Sequence, residues 1–173
     1  MKYILSTIFL ICTAGSVLAI PQFNSRVISA NFHLSSDLNR ATFYKAMESN
    51  NKILVDDQIS ELNSAPSNVK NAFLGAMTMR RAGIGGNPVS KLKLFKRGHI
   101  LLEAAINQDP NNTEFRFLRL MIQENAPGIL GYKADEEKDS EFIRKSYKSL
   151  PEDLQKTISE YNKKSKVLKL QAS

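Results

Sequence analysis

The sequence predicts an all-α protein: about seven helices paired as antiparallel hairpins, forming either an irregular closed bundle or a short helical solenoid. Three observations carry this. From residue 35 onward, apolar residues recur every three or four positions. Nowhere does an apolar–polar alternation run long enough to argue for a strand. The periodic segments are separated by short breaks rich in Asn, Pro and Gly, which place successive helices side by side.

The first helix starts at the cap Ser35-Ser36-Asp37 and runs to about Ser49, with Leu38, Ala41, Tyr44 and Met47 on its buried side. A second, over residues 53–63, buries Val55, Ile59 and Leu62. Ser67 caps a third that carries Phe73, Leu74, Ala76 and Met77; it stops at Gly83-Ile84-Gly85-Gly86, because a glycine cluster cannot sustain a helix. Asn87-Pro88 then supplies a cap and a proline at the first helical position, where no amide hydrogen is needed. This fourth helix is the longest and reaches about Asn107, where Asp109-Pro110 ends it. Asn111-Asn112-Thr113-Glu114 reads as a capping box for a fifth helix, closed by Pro127-Gly128. A sixth occupies residues 135–148 and buries Phe142, Ile143 and Tyr147. Ser149-Leu150-Pro151-Glu152 caps the seventh, which turns Leu154, Ile158 and Tyr161 inward and frays among Lys163, Lys164 and Lys166.

The front of the chain reads as a secretory signal. Lys2 supplies the early positive charge, residues 4–19 form an apolar run, and Ala19 with Val17 two before it places cleavage between Ala19 and Ile20. That run is short for a membrane span, which needs about 20 apolar residues, and no basic stop-transfer cluster follows. No transmembrane span is therefore expected after cleavage. Cys12 follows Ile11, not the small residue a lipoprotein signal wants, and belongs to the apolar core of the leader. Residues 20–34, with Pro21, Asn24, Ser25 and Ser29, have no sustained period and form a lead-in to a single all-α domain over 35–173. The expected location is the periplasm or the exterior.

The mature chain contains no cysteine, which excludes disulfides, cysteine-based zinc sites and a thiol nucleophile. The full chain carries a net charge of +7, and loss of Lys2 with the leader leaves +6. The excess gathers around the glycine-rich turn, where Arg80, Arg81, Lys91, Lys93, Lys96 and Arg97 form a candidate basic rim. Anionic lipid, polysaccharide or an acidic protein suits such a rim, though a solvated surface explains it as well. The turn lacks the Gly-Lys-Ser/Thr ending of a P-loop and reads as a connection.

The segment 114–125 is apolar around most of its circumference and predicts a central, heavily buried helix. Arg116, Arg119 and Gln123 nevertheless align on it as one polar stripe. Two readings stay open: an internal ion-pair network with Glu103 or Glu124 that fixes helix register, or a cleft whose guanidinium forks clamp a carboxylate or phosphate. His99 shares a side with Phe95, Leu102 and Ile106, as a packed or cleft-edge residue. Arg116, Arg119, Gln123, Glu124 and His99 are the candidate ligand-binding residues. The carboxylates of 135–141 sit at a helix start, where negative charge is favoured, and lack calcium-loop spacing. No histidine-based ligand spacing and no nucleophile elbow occur, so no metal, catalytic residue or cofactor is expected. Asn111-Asn112-Thr113 is a glycosylation sequon, which matters only in a eukaryotic secretory route. Nucleic acid is not an expected partner, because the aromatics fall on apolar faces.

Residues 98–112, Gly-His-Ile-Leu-Leu-Glu-Ala-Ala-Ile-Asn-Gln-Asp-Pro-Asn-Asn, resemble the second helix and exit turn of a tetratricopeptide repeat. Gly98, Leu102, Ala105 and Pro110 fill the slots of that pattern, and Leu74-Gly75 fits its first helix if the glycine-rich turn is an insertion. The segment 114–132 is also similar to that of uncharacterised exported helical proteins of the Bacteroidetes. The resemblance implies a repeat-like array and, by analogy, a binding role. The expected function is a non-enzymatic periplasmic or secreted module that binds a protein or peptide through a groove lined by the fourth and fifth helices. The alternatives are an enzyme acting on an anionic or glycan substrate through Arg119, Glu124 and His99, and a peripheral binder of anionic envelope lipid.

Overall fold

A computed structural model describes residues 39–64 and 70–170. Among them are seven α-helices and two 3-10 turns, and none of these residues is in a strand. The helices are α1 (Arg40–Glu48), α2 (Lys52–Ser64), α3 (Lys70–Ala82), α4 (Pro88–Gln108), α5 (Thr113–Asn125), α6 (Glu136–Ser146) and α7 (Glu152–Asn162). The turns are Gly128–Leu130 and Tyr147–Ser149. The expected leader and lead-in, the Ser35-Ser36-Asp37 cap, Leu38 and the Ser67 cap lie outside the described residues.

Short polar side chains start four of the helices; at α2 the Asn51 side chain accepts from the Ile53 and Leu54 amides. The Asn39 side chain accepts from the Thr42 amide, Asn87 from Ser90 and Asn112 from Phe115, each satisfying an amide that the first turn leaves without a helical partner. Two expected caps work differently. Glu114 does not close a box on α5 but turns away to Arg40 and Tyr44. At α7, Pro151 holds the cap position with no side-chain bond, and the Ser149 hydroxyl donates back to the Ser146 carbonyl.

One apolar cluster draws on all seven helices. α3 and α5 are its centre, buried over most of their surfaces. α3 crosses α4 with almost no separation: a Cβ built on Gly75 would lie 2.7 Å from the Gly98 carbonyl oxygen. Two glycines facing each other let the backbones touch, which only residues without a Cβ permit. On the other side of α5, α1 meets α7 through the Arg40–Asp153 ion pair. First and last helices thus meet, and the array closes as a bundle.

Burial within the helices follows their periodicity, with three adjustments. In α1 the inward face is Phe43, Tyr44, Ala46 and Met47, and Ala41 is exposed. Ile59 of α2 is half-buried. Phe142 is half-buried beneath the Arg116 guanidinium, 4.4 Å from its ring centre, and Tyr147 falls in the 3-10 turn after α6, also half-buried.

The lysine-rich end does not fray. Past α7 the chain turns back as a strap over α5 and α6, and Leu168 is fully buried. Glu124 accepts from the Ser165 hydroxyl and the Lys166 amide; Ser140 and Arg144 donate to the Val167 carbonyl; Asn162 accepts from the Leu170 amide. The apolar residues among the lysines, Val167, Leu168 and Leu170, are what pull the segment inward.

Candidate functional site

The polar stripe of α5 faces α6, where Asp139 is fully buried one turn into the helix. Arg119 grips this carboxylate with both arms of its fork, Nε to Oδ2 at 2.6 Å and Nη2 to Oδ1 at 2.8 Å, and its Nη1 reaches Glu103 at 2.8 Å. Arg116 adds Nη1 to Asp139 Oδ1 at 2.9 Å and places Nε and Nη2 on the Pro110 carbonyl. Tyr132 donates its hydroxyl to the other oxygen of Glu103 at 2.6 Å.

Burial alone would lower the Arg119 pKa. The bonds and charge of Asp139, with Glu103 and Asp135 behind them, outweigh burial and leave it above the usual arginine range. Burial, reinforced by Glu103, pushes the Tyr132 phenol well above the ordinary tyrosine range. Every nitrogen of both guanidinium groups therefore has an internal acceptor, and the stripe is an ion-pair network locking α5 to α4 and α6. A cleft that clamps an anion needs an open guanidinium fork, and both forks here already face internal acceptors.

The other stripe residues are dispersed. Gln123 is buried, with Oε1 lacking a hydrogen-bond partner among the described residues. Glu124 serves the strap and not either arginine. His99 is half-buried, edge-on to Tyr132 at 4.9 Å between ring centres. Asp139 went unrecognised in the sequence because its acidic neighbourhood is sufficiently explained by the helix start. A second partly buried pair has the same design: Arg40 binds both oxygens of Glu114, which also accepts from the buried Tyr44 hydroxyl.

The expected basic rim divides. Arg80 donates to the Met47 and Ser49 carbonyls at the end of α1, and Arg81 pairs with Asp56 of α2 at 2.6 Å. Both tie α3 to the preceding hairpin. Among the described residues, Lys91, Lys93, Lys96 and Arg97 of α4 have no ion-pair partner. At 3.6 residues per turn, Lys93 and Lys96 share the outer face of α4 with the exposed Val89 and Ile100.

What lies open is an apolar groove of about 340 Å³. α4 contributes Pro88, Lys91, Leu92 and Phe95, the end of α5 gives Ile122 and Asn125, and Ile129 and Leu130 of the 3-10 turn form the far wall. Met79 and Ala82 of α3 supply the remaining apolar wall. Two wall residues project unusually far into solvent for large apolar side chains: Leu92 is 43% exposed and Ile129 94%. The sequence carried a signal for this, since Leu92 interrupts the otherwise lysine-rich side of α4 and Ile129 follows a Pro-Gly break.

No protein-family model, characterised protein or solved structure matches the chain. Among the described residues no helix is long and apolar enough to cross a membrane, and no group of His, Cys, Asp or Glu is arranged to hold a metal ion.

Proposed function

We propose that the chain is an exported, non-enzymatic binding module of the cell envelope that takes a protein or peptide segment in the groove between α4 and α5. The observation carrying this is the groove with Leu92 and Ile129 held open at its lips. Its volume falls in the range of ligand-binding clefts, roughly 300–1,000 Å³, and exposed apolar side chains gathered around a concavity mark interaction surfaces. The leader-like residues 1–19 support export. The glycine-tight α3–α4 hairpin supports the tetratricopeptide-like reading, in which rigid helix pairs present a groove.

The test is panning of a displayed random-peptide library against the mature protein and against a Leu92→Asp/Ile129→Asp variant. Peptides with spaced apolar anchors that bind the parent and lose the variant support the proposal. Enrichment that ignores the double substitution overturns it.

A further inference from the structure

We infer that the partner in the groove is an acidic amphipathic peptide segment, its apolar side chains seated between α4 and α5 and its carboxylates set against Lys91 and Lys96. This rests on the groove being a peptide site. The charge pattern adds the partner's chemistry. No Asp or Glu occurs between Gly83 and Leu102, and no carboxylate lines the groove. Elsewhere among the described residues Lys52, Lys133, Lys138, Lys145, Lys163 and Lys164 pair with carboxylates, and Lys45, Lys70, Lys148, Lys156, Lys166 and Lys169 do not.

What sets the groove apart is that α4 carries four cations and no carboxylate before Glu103. Lys91 lines it, and Lys96 stands one turn beyond Leu92 on the adjoining flank; neither has an ion-pair partner among the described residues. Arg80, also in the lining, is bonded to neutral oxygens, so its positive charge has no anion beside it. Complementary charge orients a partner and speeds its capture more than it tightens the final complex.

The recessed walls favour a peptide over a bilayer. A flat membrane surface reaches Val89 and Ile129 but not Ile122 and Met79, which are only 6% and 3% exposed. A side chain projecting from a helical segment reaches them, with its own apolar residues at i, i+3, i+4 and i+7.

Three synthetic amphipathic helices with one shared apolar pattern, flanked by Glu, Gln or Lys, are titrated by fluorescence anisotropy against the full chain at low and high salt. The Glu-flanked peptide binds tightest, by roughly threefold to tenfold over the Gln-flanked one for two rim pairs, and added salt erases the difference. Lys91→Glu with Lys96→Glu moves the preference to the Lys-flanked peptide. Lys145→Glu with Lys163→Glu, an equal change in net charge elsewhere, leaves the order intact. All variants alter exposed or half-exposed side chains, and an unchanged thermal transition confirms that each remains folded. Equal binding of the three peptides, still lost in Leu92→Asp/Ile129→Asp, overturns the acidic partner and leaves the groove reading standing. Binding of none of them overturns both. Capture of phosphatidylglycerol vesicles, sensitive to the rim substitutions and without peptide binding, replaces the peptide with a membrane surface.

Discussion

Gly75 and Gly98 occupy each other's side-chain space: a Cβ on Gly98 would stand 2.5 Å from the Gly75 carbonyl oxygen and 2.8 Å from the Met79 amide nitrogen. Both obstacles are backbone atoms in buried helices, so neither can swing aside. Gly98→Ala is expected to lower stability by roughly 1–3 kcal/mol in urea denaturation, although alanine is the better helix former. Gly75→Ala meets the same crossing, and the double variant should cost less than the two added together, because the first separation of the helices relieves the second clash.

Asp139 bears both arginines of the α5 stripe. Asp139→Asn leaves two partly buried guanidinium groups facing one neutral amide, and the expected cost is about 3–5 kcal/mol. Glu103→Gln, at a side chain 25% exposed, should cost less because water replaces part of the lost charge. Replacing Arg116, Arg119 and Asp139 together with Met, Met and Leu should recover much of the stability lost by Asp139→Asn alone. Thermal denaturation of the series distinguishes a network that fixes helix register from one that supplies net stability.

Tyr44, Tyr132 and Tyr161 each hold their hydroxyl proton more tightly in the folded chain, first through burial and then through Glu114, Glu103 and Glu124 respectively. The folded state thus keeps protons that the unfolded state releases near pH 10, and the sign follows: the contribution of these phenols to stability is constant below about pH 10 and falls as pH rises above it. An ultraviolet alkaline titration should show these three phenols ionising together with loss of helical circular dichroism. Early ionisation of Tyr44, Tyr132 and Tyr161 with the helices intact would contradict the burial.

Leu168 makes the strap part of the core. Leu168→Ala is expected to cost roughly 2–5 kcal/mol, as for a fully buried leucine, and Lys166→Ala, an exposed neighbour, within about 0.5 kcal/mol. Limited proteolysis of the Leu168→Ala variant should cut in the strap before any helix is lost.

The helices were legible because their signals are local. Asn87-Pro88 announces its own cap, the box at 111–114 marks the start of α5 one residue early because the cap is Asn112 and not Asn111, and the apolar spacing of Leu154, Ile158 and Tyr161 fixes the inward side of α7. The pairings were not legible in the same way. Arg119 reads as needing a carboxylate, and Glu103 is one candidate, but the decisive Asp139 lies twenty residues away within an ordinary acidic helix start. Glu114 fitted a capping box by spacing, yet the approach of α1 brings Arg40 and Tyr44 to it, and a charged pair outweighs a local cap. The groove likewise belongs to no single segment: its walls come from three helices and a turn.

The strap also sets an order of events. Synthesis runs from α1 toward Leu170, so all seven helices have emerged before the residue that fills the gap beside α5 and α6. Until then Glu124 lacks the amide and hydroxyl it binds in the finished fold, and an apolar hollow stays open to any passing chain. Closure of this hollow therefore waits on Leu168, like a drawstring pulled after the bag is filled, and the strap decides when the apolar face beside α5 and α6 is covered.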